Sequence, residues 1–253
     1  MKSITLKKTS LNSVRSKVHQ GFTWTELLVC LAILGVLMAV VLPTMLRSPR
    51  EAAMRMQCSN NLKQIGLALL DYEQKYQMLP PAYTMDPEGN RLHSWRTLIL
   101  PFLGQTQLYE KIDLIKAWDD PANERICREK LSAYQCPSTK GKDGFTTYFA
   151  IVGERSIFRP QQGRAISEII DGTSNTVMVY ESDPSQAVHW MSPNDATEDL
   201  FVSSNAQSKT AHTGGRQFCM ADGSVRFLSK EAAKDFLTSL ATVDGNEKPF
   251  DAE

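Results

Sequence analysis

The sequence predicts an α+β fold in which one long N-terminal helix packs against an antiparallel sheet. Three observations support this prediction: an apolar run over residues 22–42, a helical repeat of apolar side chains over residues 58–76, and strand-like segments confined to the second half of the chain. A helix followed by several strands is typical of an α+β domain, because each layer must bury its apolar face against another. At 253 residues the chain can form one sizeable core.

Residues 22–42 predict a transmembrane helix. The segment has Thr23, Thr25 and Glu26 as its polar residues, and a helix of this length, about 31 Å, can cross the core of a bilayer. Basic residues precede the segment and none lies inside it, which predicts a cytoplasmic N-terminus and a translocated body. We therefore expect a single-pass protein of the inner (cytoplasmic) membrane whose body, residues 43–253, is periplasmic or on the cell surface.

Charge is distributed unevenly along the chain. There are 28 basic and 28 acidic residues, but the leader, residues 1–21, holds five of the basic residues and no acidic one. The rest of the chain is therefore mildly acidic. No nucleic-acid partner is expected, because nucleic-acid-binding domains usually carry a basic surface.

The small residue Gly21 stands before the apolar run, whereas a secretory signal is cut after its apolar stretch. The stretch GFTWTE from Gly21 to Glu26, followed by an apolar helix, resembles the signal of type IV prepilins and type II secretion pseudopilins. The resemblance implies that a prepilin peptidase cuts between Gly21 and Phe22 and methylates the new N-terminus. Pro43 also falls where that family commonly has proline.

Glu26 would be the fifth residue of the mature chain. A carboxylate near the bilayer interior costs roughly 2.5 to 3.5 kcal/mol and is retained where it has a partner. The amine freed at Phe22 of a neighbouring pilin-like subunit would supply that partner during assembly. The alternative is an uncleaved anchor with Glu26 among the lipid headgroups.

Beyond the apolar run the helix is expected to continue to about Gln77, with a bend at Pro43 and Pro49. Its apolar stripe recurs at spacings of three and four residues: Cys58, Leu62, Ile65, Leu69, Tyr72 and Tyr76. Of the later segments, 94–101 predicts a short helix or strand, 124–134 a helix, 146–153 and 176–180 strands, and 182–209 a loop. A hairpin is predicted from strands 217–221 and 224–228, joined by a two-residue turn at Asp222 and Gly223.

Further stretches, including CSNNLKQIGLALLDYEQKYQMLPPAY, YQCPST and HTGGRQFCMADGSVRFL, look like the large planctomycete family of prepilin-type proteins with a DUF1559 domain. That family carries an H-x9-DG motif, which His212, Asp222 and Gly223 match. The resemblance implies a pilin-like architecture. The resemblance does not indicate a particular biochemical activity.

Two interpretations of this motif remain open. His212 and Asp222, with Asp171, could bind a divalent cation through imidazole and carboxylate groups. The favoured reading is that no metal or other cofactor is bound, that Asp222 and Gly223 form the turn, and that His212 hydrogen-bonds the backbone. His212 and Asp222 would then pin the final hairpin to the sheet.

Four cysteines of the body allow three pairings. We predict a disulfide between Cys58 and Cys136, which would tie the CPS loop to the helix, and a second one between Cys127 and Cys219. Free thiols are the alternative if the compartment is reducing.

The sequence has no G-x-S-x-G, H-E-x-x-H or G-x-x-x-x-G-K-[ST] motif, so an enzyme is not expected. Two functions fit the remaining features. The favoured one is a pseudopilin-like subunit that assembles through its N-terminal helix into a pilus or secretion-type filament. The alternative is a membrane-tethered protein that binds a polysaccharide or another ligand and uses the helix only as an anchor.

Overall fold

The computed structural model describes residues 23–139, 142–207 and 210–245, without the side chains of residues 39–49 and 204–207. The chain divides into two compact units, residues 1–48 and 49–253. The predicted leader and the predicted cleavage site between Gly21 and Phe22 lie outside the described residues. Helix α1 runs from Trp24 to Tyr76 and contains both Pro43 and Pro49.

The described part of the first unit is the beginning of α1. Its large apolar side chains are exposed, from 47% at Leu27 to 79% at Trp24. Among the residues searched, which are those described, no helix is both long enough and apolar enough to span a bilayer. The predicted span over residues 22–42 includes residue 22, which lies outside the described residues, and residues 39–42, whose side chains are not described.

The second unit contains three antiparallel sheets. Two have only two strands each: β1 (Tyr83–Met85) with β2 (Arg91–Ser94), and β3 (Phe145–Thr146) with β6 (Val188–His189). The third has four strands in the order β4-β5-β7-β8, with the bounds Tyr148–Ala150, Val177–Glu181, Gly215–Met220 and Val225–Ser229.

Short helices connect these strands. The α-helices after α1 are α2 (Trp95–Leu98), α3 (Thr106–Tyr109), α4 (Glu124–Cys127), α5 (Glu198–Gln207) and α6 (Lys234–Ala241). The 3-10 helices cover Leu100–Leu103, Ser132–Tyr134, Ile166–Glu168 and Pro184–Gln186.

The four-stranded sheet is the middle layer of the second unit. One face packs against α1 in a core that includes the stripe residues Cys58, Leu62, Ile65 and Leu69, all fully buried. The opposite face packs in a second core with side chains of α5 and α6, including Phe201 and Leu237. Successive residues of a strand point to opposite faces, so both faces of this sheet are apolar. The predicted α+β fold is confirmed.

Gly66 lets α1 approach the sheet closely. A Cβ atom at this position would lie 2.5 Å from the Cys219 Sγ on β7, which is closer than real contacts allow. A glycine inside a helix costs roughly 0.5 to 1 kcal/mol relative to alanine. Close packing of α1 on β7 accounts for its presence.

Two predictions of secondary structure are wrong in detail, and one helix was not predicted. Residues 182–209 are not a loop, because α5 forms there: the Thr197 hydroxyl accepts a hydrogen bond from Leu200 N, and Phe201 is buried. Tertiary packing outweighs the polar composition of that segment. The predicted helix over 124–134 ends at Cys127, and α6 was not predicted.

The turn between β7 and β8 also differs from the prediction. Gly223 N donates to the Met220 carbonyl at 2.9 Å, and Met220 N donates to the Ser224 carbonyl at 2.8 Å. Gly223 has φ +78°, whereas Asp222 is not among the described residues with positive φ. This is a three-residue loop closed by a left-handed glycine, rather than the predicted two-residue turn.

Candidate functional site

A carboxylate marks the start of α1. The Glu26 Oε2 accepts hydrogen bonds from the backbone N and the Oγ1 of Thr23, both at 2.8 Å. Glu26 N in turn lies 3.4 Å from Thr23 Oγ1. This T-x-x-E arrangement is a capping box, which satisfies backbone donors at the helix start. Glu26 therefore has a local role besides the predicted assembly role.

A disulfide joins Cys58 on α1 to Cys136, the pair predicted from the sequence. Asn61, one turn further along α1, donates from Nδ2 to the carbonyls of Ser132 and Gln135 at 3.1 and 2.7 Å. These bonds hold the segment before Cys136 against the helix. The cystine is fully buried at Cys58 and 2% exposed at Cys136.

Glu181 and His212 lie beside this disulfide. Cys136 Sγ is 3.7 Å from His212 Nε2, which is 3.3 Å from Glu181 Oε2. The possible ligand atoms of these four residues lie within 4.8 Å of one another. We refer to Cys58, Cys136, Glu181 and His212 as the buried cluster.

The elements that position Glu181 and His212 come from distant parts of the chain. Glu181 is the last residue of β5, and a carboxylate oxygen lies within 4.8 Å of the Cys58 sulfur on α1. His212 precedes β7, where its carbonyl accepts a bond from Thr210 Oγ1 at 2.6 Å. The next residue, Thr213, donates its backbone N to Glu51 Oε1 on α1 at 3.1 Å. The loop before β7 is therefore tied to α1.

Burial controls the protonation of the Glu181 and His212 pair. Loss of solvation raises the pKa of Glu181 to about 8, and the positive charge of Arg216 offsets only part of this effect. Loss of solvation likewise lowers the pKa of His212, with a smaller contribution from Arg55. Both shifts favour an uncharged carboxyl beside an uncharged imidazole at neutral pH.

The other residues of the H-x9-DG motif lie away from the buried cluster. Asp222 follows β7, whereas His212 precedes it, and six strand residues span about 20 Å. The Asp222 Oδ1 accepts from Ser224 N at 2.8 Å, and Asp171 Oδ2 accepts from Gly245 N at 2.7 Å. The structure therefore does not bring His212, Asp222 and Asp171 together as one cation site.

The predicted bridge between Cys127 and Cys219 is wrong, because both are free and buried. Cys127 lies in α4, where its Sγ donates to the Glu124 carbonyl at 3.2 Å. Cys219 lies on β7 beneath Gly66. Burial raises the pKa of both thiols, to about 12 at Cys219, which makes them unreactive.

A cleft of about 690 Å³ opens beside the disulfide. Cys136 lies in its wall, as do Ser185 and Ala187 of the segment predicted as a loop. The described lining combines apolar surface with Lys130 and with side chains that carry hydroxyl or amide groups: Gln57, Asn61, Ser132, Tyr134, Gln135, Thr139, Thr146 and Thr147. Thr147 Oγ1 is buried and makes no hydrogen bond among the described residues.

Sequence reasoning did not identify Glu181, Arg216 or the buried ion pair of Arg96 with Asp195. Arg96 Nη2 lies 2.5 Å from Asp195 Oδ1, and the two side chains are 0% and 2% exposed. Arg96 also donates to the Tyr148 carbonyl, so this pair joins α2 to the sheet. A charge in an otherwise apolar segment, as at Glu181 in VMVYES, was the available signal.

Two family models match the chain. Residues 16–42 match the prokaryotic N-terminal methylation motif, and residues 47–155 match a protein of unknown function, DUF1559. Residues 47–155 are therefore similar to DUF1559 proteins and follow an N-terminal methylation motif, as the sequence resemblance indicated. The motif implies processing by prepilin peptidase and an N-terminal membrane anchor with an extracytoplasmic body. Comparisons with curated proteins and with solved structures gave no match.

Proposed function

We propose that the protein is a non-enzymatic, pseudopilin-like subunit that assembles through its N-terminal helix into a pilus or secretion-type filament. The match of residues 16–42 to the methylation motif carries the proposal. In this scheme the peptidase cuts after Gly21 and methylates Phe22. The helix then holds the subunit in the membrane until it joins its neighbours.

The exposed side chains at the start of α1 support this proposal. Ten large apolar residues between Trp24 and Met38 are 47–79% exposed: Trp24, Leu27, Leu28, Val29, Leu31, Ile33, Leu34, Val36, Leu37 and Met38. A helix that is apolar on all sides needs lipid or other helices around it. Both environments are available to a subunit that moves from a bilayer into a helical filament core.

The geometry of Glu26 leaves room for an intersubunit ion pair. Thr23 donates to Oε2 alone, so Oε1 accepts no hydrogen bond from the described residues. The amine of Phe22 from a neighbouring subunit could pair with this oxygen. Capping of α1 and assembly are therefore compatible functions of one carboxylate.

The native Cys30 provides a way to test assembly. It is exposed on α1, whereas the other cysteines are buried or disulfide-bonded in the described structure. A membrane-permeable bis-maleimide should link neighbouring subunits of the wild type in cells, and Cys30→Ser should abolish the product. Glu26→Ala should lose the cross-link while N-terminal sequencing still shows a start at Phe22.

Two further variants separate assembly from capping. Thr23→Val removes the hydroxyl half of the capping box but keeps the carboxylate, and should still cross-link. Glu73→Ala removes another carboxylate of α1 and should behave like the wild type. Undiminished cross-linking of Glu26→Ala, or equal loss in Thr23→Val, would refute the assembly role of Glu26.

The cleft favours a second candidate function, a tethered ligand-binding protein. Its hydroxyl and amide groups suit a neutral, hydroxyl-rich ligand such as an oligosaccharide, and Phe145 offers a ring against which a sugar could pack. Titration of the full-length protein in detergent with cellohexaose would test this function. Phe145→Ala should weaken binding, whereas Phe102→Ala, which removes an aromatic ring packed on Tyr72, should not. Absence of any heat of binding at millimolar cellohexaose would count against this ligand class.

A further inference from the structure

The buried cluster has the residue types of a zinc site. It contains two cysteines, one imidazole and one carboxyl, all buried and with ligand atoms within 4.8 Å of one another. Sulfur and imidazole ligands favour Zn²⁺ over Mg²⁺ or Ca²⁺, which prefer sites made of oxygen atoms. In the disulfide-bonded protein the two sulfurs are joined to each other. A metal ion would join the same two sulfurs after reduction.

Two separations in the buried cluster match the edges of a tetrahedron around zinc. With Zn–S near 2.3 Å and Zn–N or Zn–O near 2.0 Å, a tetrahedral site has sulfur-to-nitrogen edges of about 3.6 Å and nitrogen-to-oxygen edges of about 3.3 Å. The observed distances are 3.7 Å from Cys136 Sγ to His212 Nε2 and 3.3 Å from His212 Nε2 to Glu181 Oε2. After reduction, Cys58 Sγ and Cys136 Sγ need only separate to about 3.8 Å, the sulfur-to-sulfur edge.

The surroundings orient these groups for a cation. Ser138 Oγ lies 3.4 Å from His212 Nδ1, so the ring can carry its proton on Nδ1 and direct the Nε2 lone pair into the cluster. Both carboxyl oxygens of Glu181 are buried and lack a hydrogen bond of good geometry among the described residues. Such a group is costly unless it meets a donor or a cation.

The charges also balance. Zinc with two thiolates and one carboxylate carries a net charge of −1, and buried Arg216 supplies a positive charge that acts on Glu181. This guanidinium would offset the surplus charge of the loaded site. An isolated anionic centre under α1 would otherwise be unfavourable.

We propose that, once its Cys58–Cys136 disulfide is reduced, the protein binds one Zn²⁺ through Cys58 Sγ, Cys136 Sγ, His212 Nε2 and Glu181. A dithiol reductant supplies two electrons and two protons to the disulfide and itself becomes a disulfide. Each cysteine thiol then releases its proton as the thiolate binds zinc, and the Glu181 carboxyl releases its own. The disulfide and the zinc ion are thus alternative links between α1 and the CPS loop.

Cobalt substitution tests this site without an activity assay. Full-length protein in detergent is reduced with a phosphine, separated from the reductant under argon and titrated with CoCl₂. The expected result is one Co²⁺ per chain, with thiolate charge-transfer bands and the intense visible bands of tetrahedral cobalt. ZnCl₂ should remove both sets of bands. Protein with its disulfide intact should bind no cobalt at this site.

Variants define the ligands. Cys136→Ser and His212→Ala should lose the cobalt spectrum, and Glu181→Gln should bind at least about tenfold more weakly. Cys127→Ser is the matched control, because it removes a buried free cysteine outside the cluster and should bind like the wild type. Normal binding by both His212→Ala and Glu181→Gln would overturn the proposal, as would loss of binding in Cys127→Ser.

If the protein unfolds when its disulfide is reduced, zinc binding can still be tested. In that case ZnCl₂ present during reduction should preserve the near-ultraviolet circular dichroism of the wild type but not of Cys136→Ser. Reduced protein that stays folded and takes up no Co²⁺, or that unfolds equally with and without Zn²⁺, would refute the site.

Discussion

His212 Nε2 lies 3.3 Å from Glu181 Oε2, and each side chain is 1% exposed. At neutral pH, burial favours the protonated carboxyl and the uncharged ring, because loss of solvation raises the pKa of Glu181 and lowers that of His212. The pair therefore links the end of β5 to the loop before β7 without a buried charge. Its protonation makes the stability of the disulfide-bonded protein depend on pH.

Glu181→Gln should change that pH dependence. Between the ordinary carboxyl pKa of 4.5 and the folded value of about 8, the folded protein holds a proton that the unfolded chain has released. The stability contributed by Glu181 is therefore complete below the ordinary pKa and is lost as pH rises through this window. A glutamine does not titrate, so the variant should gain on the order of a few kcal/mol relative to wild type between pH 5 and pH 8.

Urea unfolding of wild type and Glu181→Gln at pH 5 and at pH 8 measures this difference in stability. Glu168→Gln provides a control: the backbone N of Ala165, more than Arg159, lowers the pKa of Glu168, so its contribution is lost only below the ordinary carboxyl pKa, and its difference from wild type should stay constant between pH 5 and pH 8. A stability difference between wild type and Glu181→Gln that stays constant from pH 5 to pH 8 would contradict the assignment of a neutral carboxyl.

The Cys58–Cys136 disulfide closes a loop with a sequence separation of 78 residues. Replacing both cysteines with serine should lower the free energy of unfolding by about 3 to 4 kcal/mol, because the unfolded chain gains conformational freedom. Guanidinium unfolding should show the same loss when wild type is reduced without metal, and no effect of reductant on the double variant. Cys127→Ser, whose hydroxyl can keep the bond to Glu124, should respond to reductant like wild type. Equal stability of oxidised wild type and the double variant would disprove a structural disulfide.

The effects of substitutions at Gly66 and Cys219 on the free energy of unfolding should be strongly coupled. Gly66→Ala places a methyl group 2.5 Å from Cys219 Sγ and should destabilise the protein by about 1 to 3 kcal/mol. Cys219→Ala removes the sulfur, so the double variant should recover most of the loss, aided by the better helix propensity of alanine. A double-mutant cycle from thermal unfolding measures the coupling. Gly35→Ala, which meets no atom within 4 Å among the described residues, is the control on the same helix. Additive effects of Gly66→Ala and Cys219→Ala would mean that the helix and strand can separate without cost.

The Arg96–Asp195 pair should be far more important to stability than a surface pair. Asp195→Asn leaves the fully buried guanidinium of Arg96 without its counter-charge, which should cost about 3 to 5 kcal/mol. Glu124→Gln breaks the exposed pair of Glu124 with Arg128 and should cost less than about 1 kcal/mol. Urea unfolding of the two variants compares these costs directly. Similar losses would mean that the buried pair is solvated in solution.

The sequence determined the long helix and its buried face. The spacing of Cys58, Leu62, Ile65 and Leu69 depends on local helix geometry alone, so the pattern was readable without a structure. The N-terminal methylation motif could also be identified from the sequence, because it lies in one contiguous stretch. The partner of Cys58 was also predicted, although sequence alone did not exclude other pairings.

Only the tertiary structure decided that Glu181 would lie beside His212 and the disulfide. The register between β5 and β7 shifts between Val177 and Val179, so Val177 packs in the core with α5 and α6 while Val179 packs in the core with α1. That irregularity fixes which face the last residues of β5 present to the helix. An alternating sequence pattern cannot reveal such a shift, because one extra residue exchanges the faces of a strand. The buried cluster thus depends on strand pairing between segments far apart in the chain. The charge of Glu181 in an apolar strand marks an unusual position, but it does not reveal the partners of that residue.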